Sequence, residues 1–267
     1  MSHAEHFHNL KKLAAEDLSA AHILQHTITA DLSAKLGNIV TSGPGTHGLF
    51  KPNDTATLSL GTVTGKKHWL SNLNNCSWAV FVVEQGSERS YVYVDLRNAQ
   101  IELVPTLGME GTFTGNLEFD HAPAIVICNV QDPRYFPIKR QHSLGYITIL
   151  YGLAEQLFDD IDQYTEQANI NCNYEKQKIK LNLSVMKLLW GTAVKEIDDA
   201  DIAHQYYHPT LYGFAKECLV QVLHLITEVT GSGLYELSQP HHQRYRDALI
   251  YASHMKNLYQ VSQEQHV

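Results

Sequence analysis

Long apolar runs are absent. The 267 residues contain no stretch of roughly 18 apolar residues, which excludes a membrane-spanning helix. Cysteine is scarce. Cys76, Cys128, Cys172 and Cys218 stand far apart with no CxxC spacing, which points to reduced thiols and a cytoplasmic setting and away from a disulfide scaffold or zinc ribbon. Positive charge is in deficit: 20 Lys plus Arg face 28 Asp plus Glu, for a net charge of -8. A chain this acidic is a poor general ligand for nucleic-acid phosphates. The opening MSHAEHFH lacks the apolar core and cleavage pattern of a signal peptide. Disorder is excluded as well, because 44% hydrophobic and 18% charged residues are enough to bury a core.

Histidine is abundant, with sixteen in the chain. His22 and His26 are spaced to share a helical face, as are His204 and His208, although Pro209 follows the second pair. His241 and His242 are adjacent, and His3, His6 and His8 lie near the start. A catalytic zinc site wants three close ligands and a second shell. There is no HExxH and no third ligand tied to either pair. No metal site is expected, and these histidines read as solvent-facing or hydrogen-bonded.

The chain divides into three zones. Residues 1–37 hold a segment rich in Ala, Leu, Glu, Lys and His, free of Gly and Pro from residue 3 to residue 36. Leu10, Leu13, Ala14, Leu18 and Ala21 fall at helical spacing, which predicts one long helix or two short ones with Gly37 as the stop. Residues 38–135 turn to Thr, Val, Gly and aromatics. TATLSLGTV, SWAVFVVEQ, SYVYVDL, IELVP and GNLEFDH read as strands, with Thr64-Gly65, Gln85-Gly86-Ser87 and Pro105 as turn signals. This predicts a small antiparallel β barrel or sandwich. Residues 136–267 return to helical periodicity over 142–168, 173–197, 201–230 and 241–262. Short connections between them predict a four-helix bundle. The expected fold class is therefore α+β, multidomain.

The stretch GTVTGKKHWLSN, residues 61–72, carries the most specific pattern. It resembles the GxKxWIT/SN signature of the acyl-CoA dehydrogenase superfamily of flavoproteins. VTSGPGTHG (residues 40–48), LGMEGTFTGNLEFD (107–120), GSGLY (231–235) and RYRDA (244–248) resemble further landmarks of that family, in the family's order. The resemblance covers residues 38–260. It implies a β domain followed by a four-helix bundle, and it marks a departure, because family members open with a full helical domain where this chain has 36 residues before Gly37.

The resemblance also implies chemistry. Trp69 would pack on an isoalloxazine ring and Ser71 would hydrogen-bond near its reactive edge. Thr41, Ser42, Gly43 and Gly45 would hold the ring and pyrophosphate. The residues alone leave other readings open: Trp69 as a core residue, Ser71 in a turn, and Gly-Pro-Gly as an ordinary loop. The expected cofactor is FAD, with FMN or no flavin as alternatives. The Arg-x-x-Phe-Gly clamp of the family has no counterpart in TEQANINCNYE, and Glu228 replaces a Gln expected beside pyrophosphate. The usual catalytic Glu falls at His254-Met255-Lys256. His254 is a weak candidate base, Met255 has no proton-abstracting group, and Glu155, Asp159, Asp160 and Asp162 lie at an alternative position. Arg244, Arg246 and Asp247 read as ion pairing that locks the last helix, and Tyr235 and Tyr245 as packing between helices.

Three functions are compatible with these residues. They are an acyl-CoA dehydrogenase-type oxidoreductase, a flavin-dependent monooxygenase of the same superfamily, and a non-catalytic subunit or scaffold. A small acyl or aromatic substrate is expected. So is a homodimer or higher homo-oligomer, through residues 211–229 and 248–261 or with a full-length family subunit.

Overall fold

The structure is a computed structural model that describes residues 2–197, 207–231 and 242–254. It contains two compact units. One comprises residues 22–106 and 110–142, and the other residues 1–21, 107–109 and 143–267.

The first unit is built on seven strands: β1 (Gly45–Gly48), β2 (Thr57–Ser59), β3 (Thr62–Leu70), β4 (Trp78–Gln85), β5 (Glu88–Asp95), β6 (Ala99–Leu103) and β7 (Gly115–Asn129). β4 pairs with β2, β2 with β3, β3 with β7, β7 with β5, and β5 returns to β4, so the sheet closes into a barrel. β6 adds to β7. The expected barrel is present, but it is not purely antiparallel: β1 and β2 both run parallel to β4.

One strand reading and one turn reading need correction. The segment TATLSLGTV is a hairpin, because Leu60 (φ 48) and Gly61 (φ 78) both take left-handed backbone between β2 and β3. Thr64-Gly65 is not a turn but lies inside β3. Gly65 has φ 107 at a register shift, and a Cβ there would sit 2.3 Å from the Thr55 carbonyl oxygen. The glycine marks a close backbone approach within a strand.

The sequence pattern explains why β4 is central. Its first six residues are all buried. Ala79, Phe81 and Val83 join the barrel interior with Val63, Leu70, Leu117 and Phe119. Trp78, Val80 and Val82 join a second core with Ala30, Ala34, Tyr91 and Tyr135. A strand covered on both faces reads as a continuous apolar run.

Helices α1 (His3–Glu16) and α2 (Leu18–Leu36) answer the expectation of two short helices. Asp17, in extended conformation, separates them. At the end of α2 the left-handed residue is Asn38 (φ 54), one past the expected Gly37. Ile39 N–H donates to Ala34 O and Asn38 N–H to Lys35 O, a Schellman closure.

The second unit is helical. α3 (Phe136–Gln167) contributes from residue 143 onward, with α4 (Asn173–Lys195), α5 (Tyr207–Thr230), α6 (His242–His254) and α1. α1 meets α3 closely because position 152 is glycine: a Cβ would lie 2.5 Å from Lys11 O. Lys11 then pairs with Glu155 at 2.5 Å. Trp190 on α4 donates to Thr148 Oγ1 on α3 at 2.8 Å. Among the described residues, no helix is long and apolar enough to cross a membrane.

Candidate functional site

β3 ends abnormally, and that ending exposes the indole. In a regular strand Lys67 and Trp69 would share a face. Lys67 is fully buried, yet Trp69 is 42% exposed. A register shift between Lys67 and Leu70, together with a left-handed Trp69 (φ 58), turns the indole outward. Such backbone in a bulky residue costs about 1–3 kcal/mol and persists only where its surroundings fix it.

Those surroundings are visible. Asn72 N–H donates to Thr112 O at 2.6 Å and Leu73 N–H to Phe113 O at 3.2 Å. The turn after β3 is thereby joined to the turn before β7. Phe113, also left-handed (φ 46), is 41% exposed. Two outward aromatic side chains therefore stand on adjoining turns.

Lys67, the lysine of the GxKxW pattern, anchors β3 from inside. Its ammonium pairs with Asp54 and donates to Leu49 O, and both charged side chains are buried. Burial lowers its pKa to about 8 against the pull of the Asp54 carboxylate. Asp54 also accepts from Lys51 N at 2.7 Å and His68 N at 2.9 Å.

Ser71 is buried, and its hydroxyl bonds His22 Nε2 at 3.0 Å and Thr114 Oγ1 at 3.2 Å. Thr114 in turn meets Thr112 Oγ1 at 2.8 Å. The loop before β1 is tied to the start of β4, because Ser77 N–H donates to Pro44 O at 2.9 Å. Thr41 is half-buried, while Ser42 and Gly43 are exposed. Gly43 needs its left-handed φ of 74, and its carbonyl accepts from Trp78 Nε1 at 3.0 Å. Gly45 is different. It is buried, and a Cβ there would lie 2.4 Å from the Trp78 ring, so its smallness serves packing.

The histidines give the largest surprise. His22 and His26 on α2 are buried, not solvent-facing, and two more buried histidines join them: His47 on β1 and His142 on α3. Ring centroids lie 4.4 Å apart for His22–His26, 5.6 Å for His26–His142 and 4.9 Å for His47–His142. Burial, then the positive potential of neighbouring His26 and Lys67, holds His47 well below the ordinary histidine range. Burial and then His47, His26 and His22 do the same to His142. Sequence spacing revealed only the His22–His26 pair, because the other two members are supplied by distant elements. Among the described residues, no group of three or more His, Cys, Asp or Glu side chains has the arrangement to hold a metal ion.

The charged candidates of the helical unit are held by partners. Asp160 pairs with Arg244, Asp162 with Lys176 and Glu155 with Lys11. Asp159 is exposed, with its pKa raised by partial burial and by nearby Glu155, Asp160 and Asp162. Asp247 accepts from Met109 N at 2.7 Å, so the RYRDA and LGMEG landmarks meet. Tyr245 bonds Thr227 at 2.7 Å, as expected of packing between helices. His204, Tyr235, His241 and Met255 lie outside the described residues, as do the side chains of His208 and His254.

The sequence matches no family model and no curated protein. Solved structures do match. Glutaryl-coenzyme A dehydrogenase in its glutaryl-CoA complex aligns with TM-score 0.72 at 15% identity, over 95% of this chain and 78% of that one. The fold is that of the acyl-CoA dehydrogenase superfamily. XiaF from Streptomyces sp., in complex with FADH2 and glycerol, aligns with TM-score 0.75 at 12% identity, over 94% and 77% of the two chains. TdsC from Paenibacillus sp. A11-2, in complex with FMN and indole, aligns with TM-score 0.70 at 12% identity, over 98% and 82%. Glutaryl-CoA dehydrogenase and TdsC, a dibenzothiophene monooxygenase, thus share this fold with the chain.

Proposed function

We propose that the chain is a flavin-dependent oxidoreductase that binds its flavin at Trp69, Ser71 and the Thr41–Gly43 loop. The observation that carries this reading is the outward, left-handed Trp69 beside Phe113, on a fold shared with flavin-bound proteins. A flat ring gains apolar and stacking contact on such aromatics. The residues fit the group: the indole is exposed, the loop is a glycine turn, and a buried hydroxyl stands two residues on. A bound flavin would supply the hydride or oxygen chemistry. Trp69 provides a wall, the Thr41–Gly43 loop offers backbone and hydroxyl donors, and Ser71 presents one orientable hydroxyl.

A second reading refines the first. Monooxygenase chemistry needs no carboxylate to remove a substrate proton. Residues 250–260 contain no Asp or Glu, and Glu155, Asp160 and Asp162 are engaged by cations. That combination favours an oxygenase over an acyl-CoA dehydrogenase. By the family resemblance Glu228 takes the place of a Gln that faces the pyrophosphate from a neighbouring subunit, and a carboxylate there would repel the second phosphate, which favours FMN over FAD.

The chain further pairs with a second copy through α4. Tyr174, Leu181, Val185 and Leu188 form an exposed apolar stripe at helical spacing. Exposed Lys178, Lys180 and Lys187 on the same helix complement exposed Glu217 and Glu228 on α5, which α4 contacts. This differs from the expected use of residues 211–229, whose Leu211, Leu219, Val222 and Ile226 are buried within their own unit.

Absorbance titration of the purified protein with FMN and with FAD tests the reading. A perturbed flavin spectrum with one-to-one saturation is expected. Oxygen uptake with reduced flavin and an aromatic substrate such as indole supports the oxygenase, while anaerobic bleaching by an acyl-CoA supports the dehydrogenase. Failure to bind either flavin leaves only the non-catalytic scaffold.

A further inference from the structure

The loop between β1 and β2 is rigid. Lys51-Pro52-Asn53-Asp54 forms a tight turn, in which Asp54 N–H donates to Lys51 O at 3.0 Å and Lys51 N–H donates to Asp54 Oδ2 at 2.7 Å. Proline stands at the second position, where its fixed φ suits the bend. The next two residues are tied to β3: Thr55 and Ala56 N–H both donate to Lys66 O, at 2.9 and 3.0 Å.

The same loop holds more positive charge than it neutralises. One carboxylate serves Lys51, Lys67 and His68. Asp54 Oδ2 takes the Lys67 ammonium as well as the Lys51 N–H. Asp54 Oδ1 accepts from His68 N–H at 2.9 Å and faces His68 Nδ1 at 3.4 Å. Both carboxylate oxygens are thus engaged. Lys51 is only 9% exposed, and its ammonium has no hydrogen bond or ion pair among the described residues. Acids on the neighbouring strands are taken, Glu118 by Lys66 at 3.1 Å and Glu84 by Arg89 at 3.5 Å.

A buried ammonium without a partner is costly, and a second cation nearby adds to the cost. Burial lowers the Lys51 pKa against the pull of Asp54, as it does that of Lys67. Loss of the Lys51 proton would remove the charge but leave a buried amine without a hydrogen-bond partner. An anion relieves both defects at once. The small part of Lys51 left exposed gives such an anion a way in.

We propose that Lys51 anchors a site for a small oxyanion, with Lys67 supplying a second positive charge and the 51–54 turn fixing the position. The ligand carries a phosphate or a carboxylate group, whose oxygens accept charge-assisted hydrogen bonds from an ammonium. This site is separate from the residues assigned to flavin and does not depend on them.

The test is isothermal titration of the full chain with inorganic phosphate and, separately, with sodium acetate. Chloride buffer holds the ionic strength constant, so that general screening does not change. Wild type should saturate with one anion per chain, and the tighter of the two anions identifies phosphate or carboxylate as the class. Lys51→Met keeps the aliphatic stem and should weaken binding at least tenfold. Wild type that binds neither anion with a dissociation constant below ~10 mM overturns the inference. So does Lys51→Met that binds within about threefold of wild type. Should the variant not fold, amide magnetic resonance of wild type titrated with phosphate decides. Shifts concentrated at Lys51, Asp54 and His68 support the site, and shifts elsewhere or none overturn it. No readout here involves flavin, so failure of this site leaves the flavin reading standing.

Discussion

At the scale of single residues, a few side chains carry disproportionate weight. Trp69 faces outward only because its backbone is left-handed. Trp69→Ala should lower flavin affinity at least tenfold, about 1.4 kcal/mol, and titration by absorbance checks it. Asp54 has a structural role. It neutralises the buried Lys67 and also accepts from two backbone N–H groups. Asp54→Ala should destabilise the barrel by about 3–5 kcal/mol, because it strands a buried ammonium; urea unfolding measures this. The GxKxW pattern singles out Trp69 and Ser71 as candidates in the sequence. It did not reveal Asp54, which lies 13 residues upstream of Lys67 and meets it only in the folded barrel. His22 was half legible, through its spacing to His26. Its bond to Ser71 spans 49 positions, and no local periodicity encodes a contact of that range.

At the scale of elements, alternation and helical spacing located most strands and helices, because burial imposes periods of 2 and 3.6 residues. They failed where backbone geometry overrides side-chain pattern. Gly65 reads as a turn residue, yet it sits in β3 where another backbone approaches. Gly65→Ala should therefore cost at least about 2 kcal/mol, since the Thr55 carbonyl offers no flexible side chain to yield and the φ of 107 disfavours a Cβ; thermal unfolding measures it. Asn38 rather than Gly37 closes α2 for a related reason. Asn tolerates left-handed backbone, whereas a side chain at Gly37 would press on Ile127. The parallel entry of β1 beside β4 was equally hidden, because pairing direction leaves no mark on a strand of four residues.

At the scale of the whole chain, two consequences follow from charge and surface. His47 and His142 have pKa values held well below the ordinary 6.5 by burial and by positive neighbours. Titratable groups packed around them include His22, His26, Tyr91, Tyr135 and Lys67. The unfolded chain binds the extra protons, so stability is full above about pH 6.5 and falls as pH drops below it. Each histidine contributes a slope of about 1.4 kcal/mol per pH unit. The melting temperature should fall between pH 6.5 and 5.5, and a flat profile contradicts the neutral cluster. The α4 stripe predicts that the paired Leu181→Glu and Leu188→Glu substitutions convert a dimer to a monomer in sedimentation velocity, with the far-UV circular dichroism unchanged.

The most direct test of the account is the visible spectrum of the protein mixed with FMN or FAD and passed through a desalting column. Co-elution of flavin with the wild-type protein, lost on Trp69→Ala, is the predicted result. Colourless wild-type protein with both flavins contradicts the claim that the outward Trp69 and the serine behind it form a flavin site.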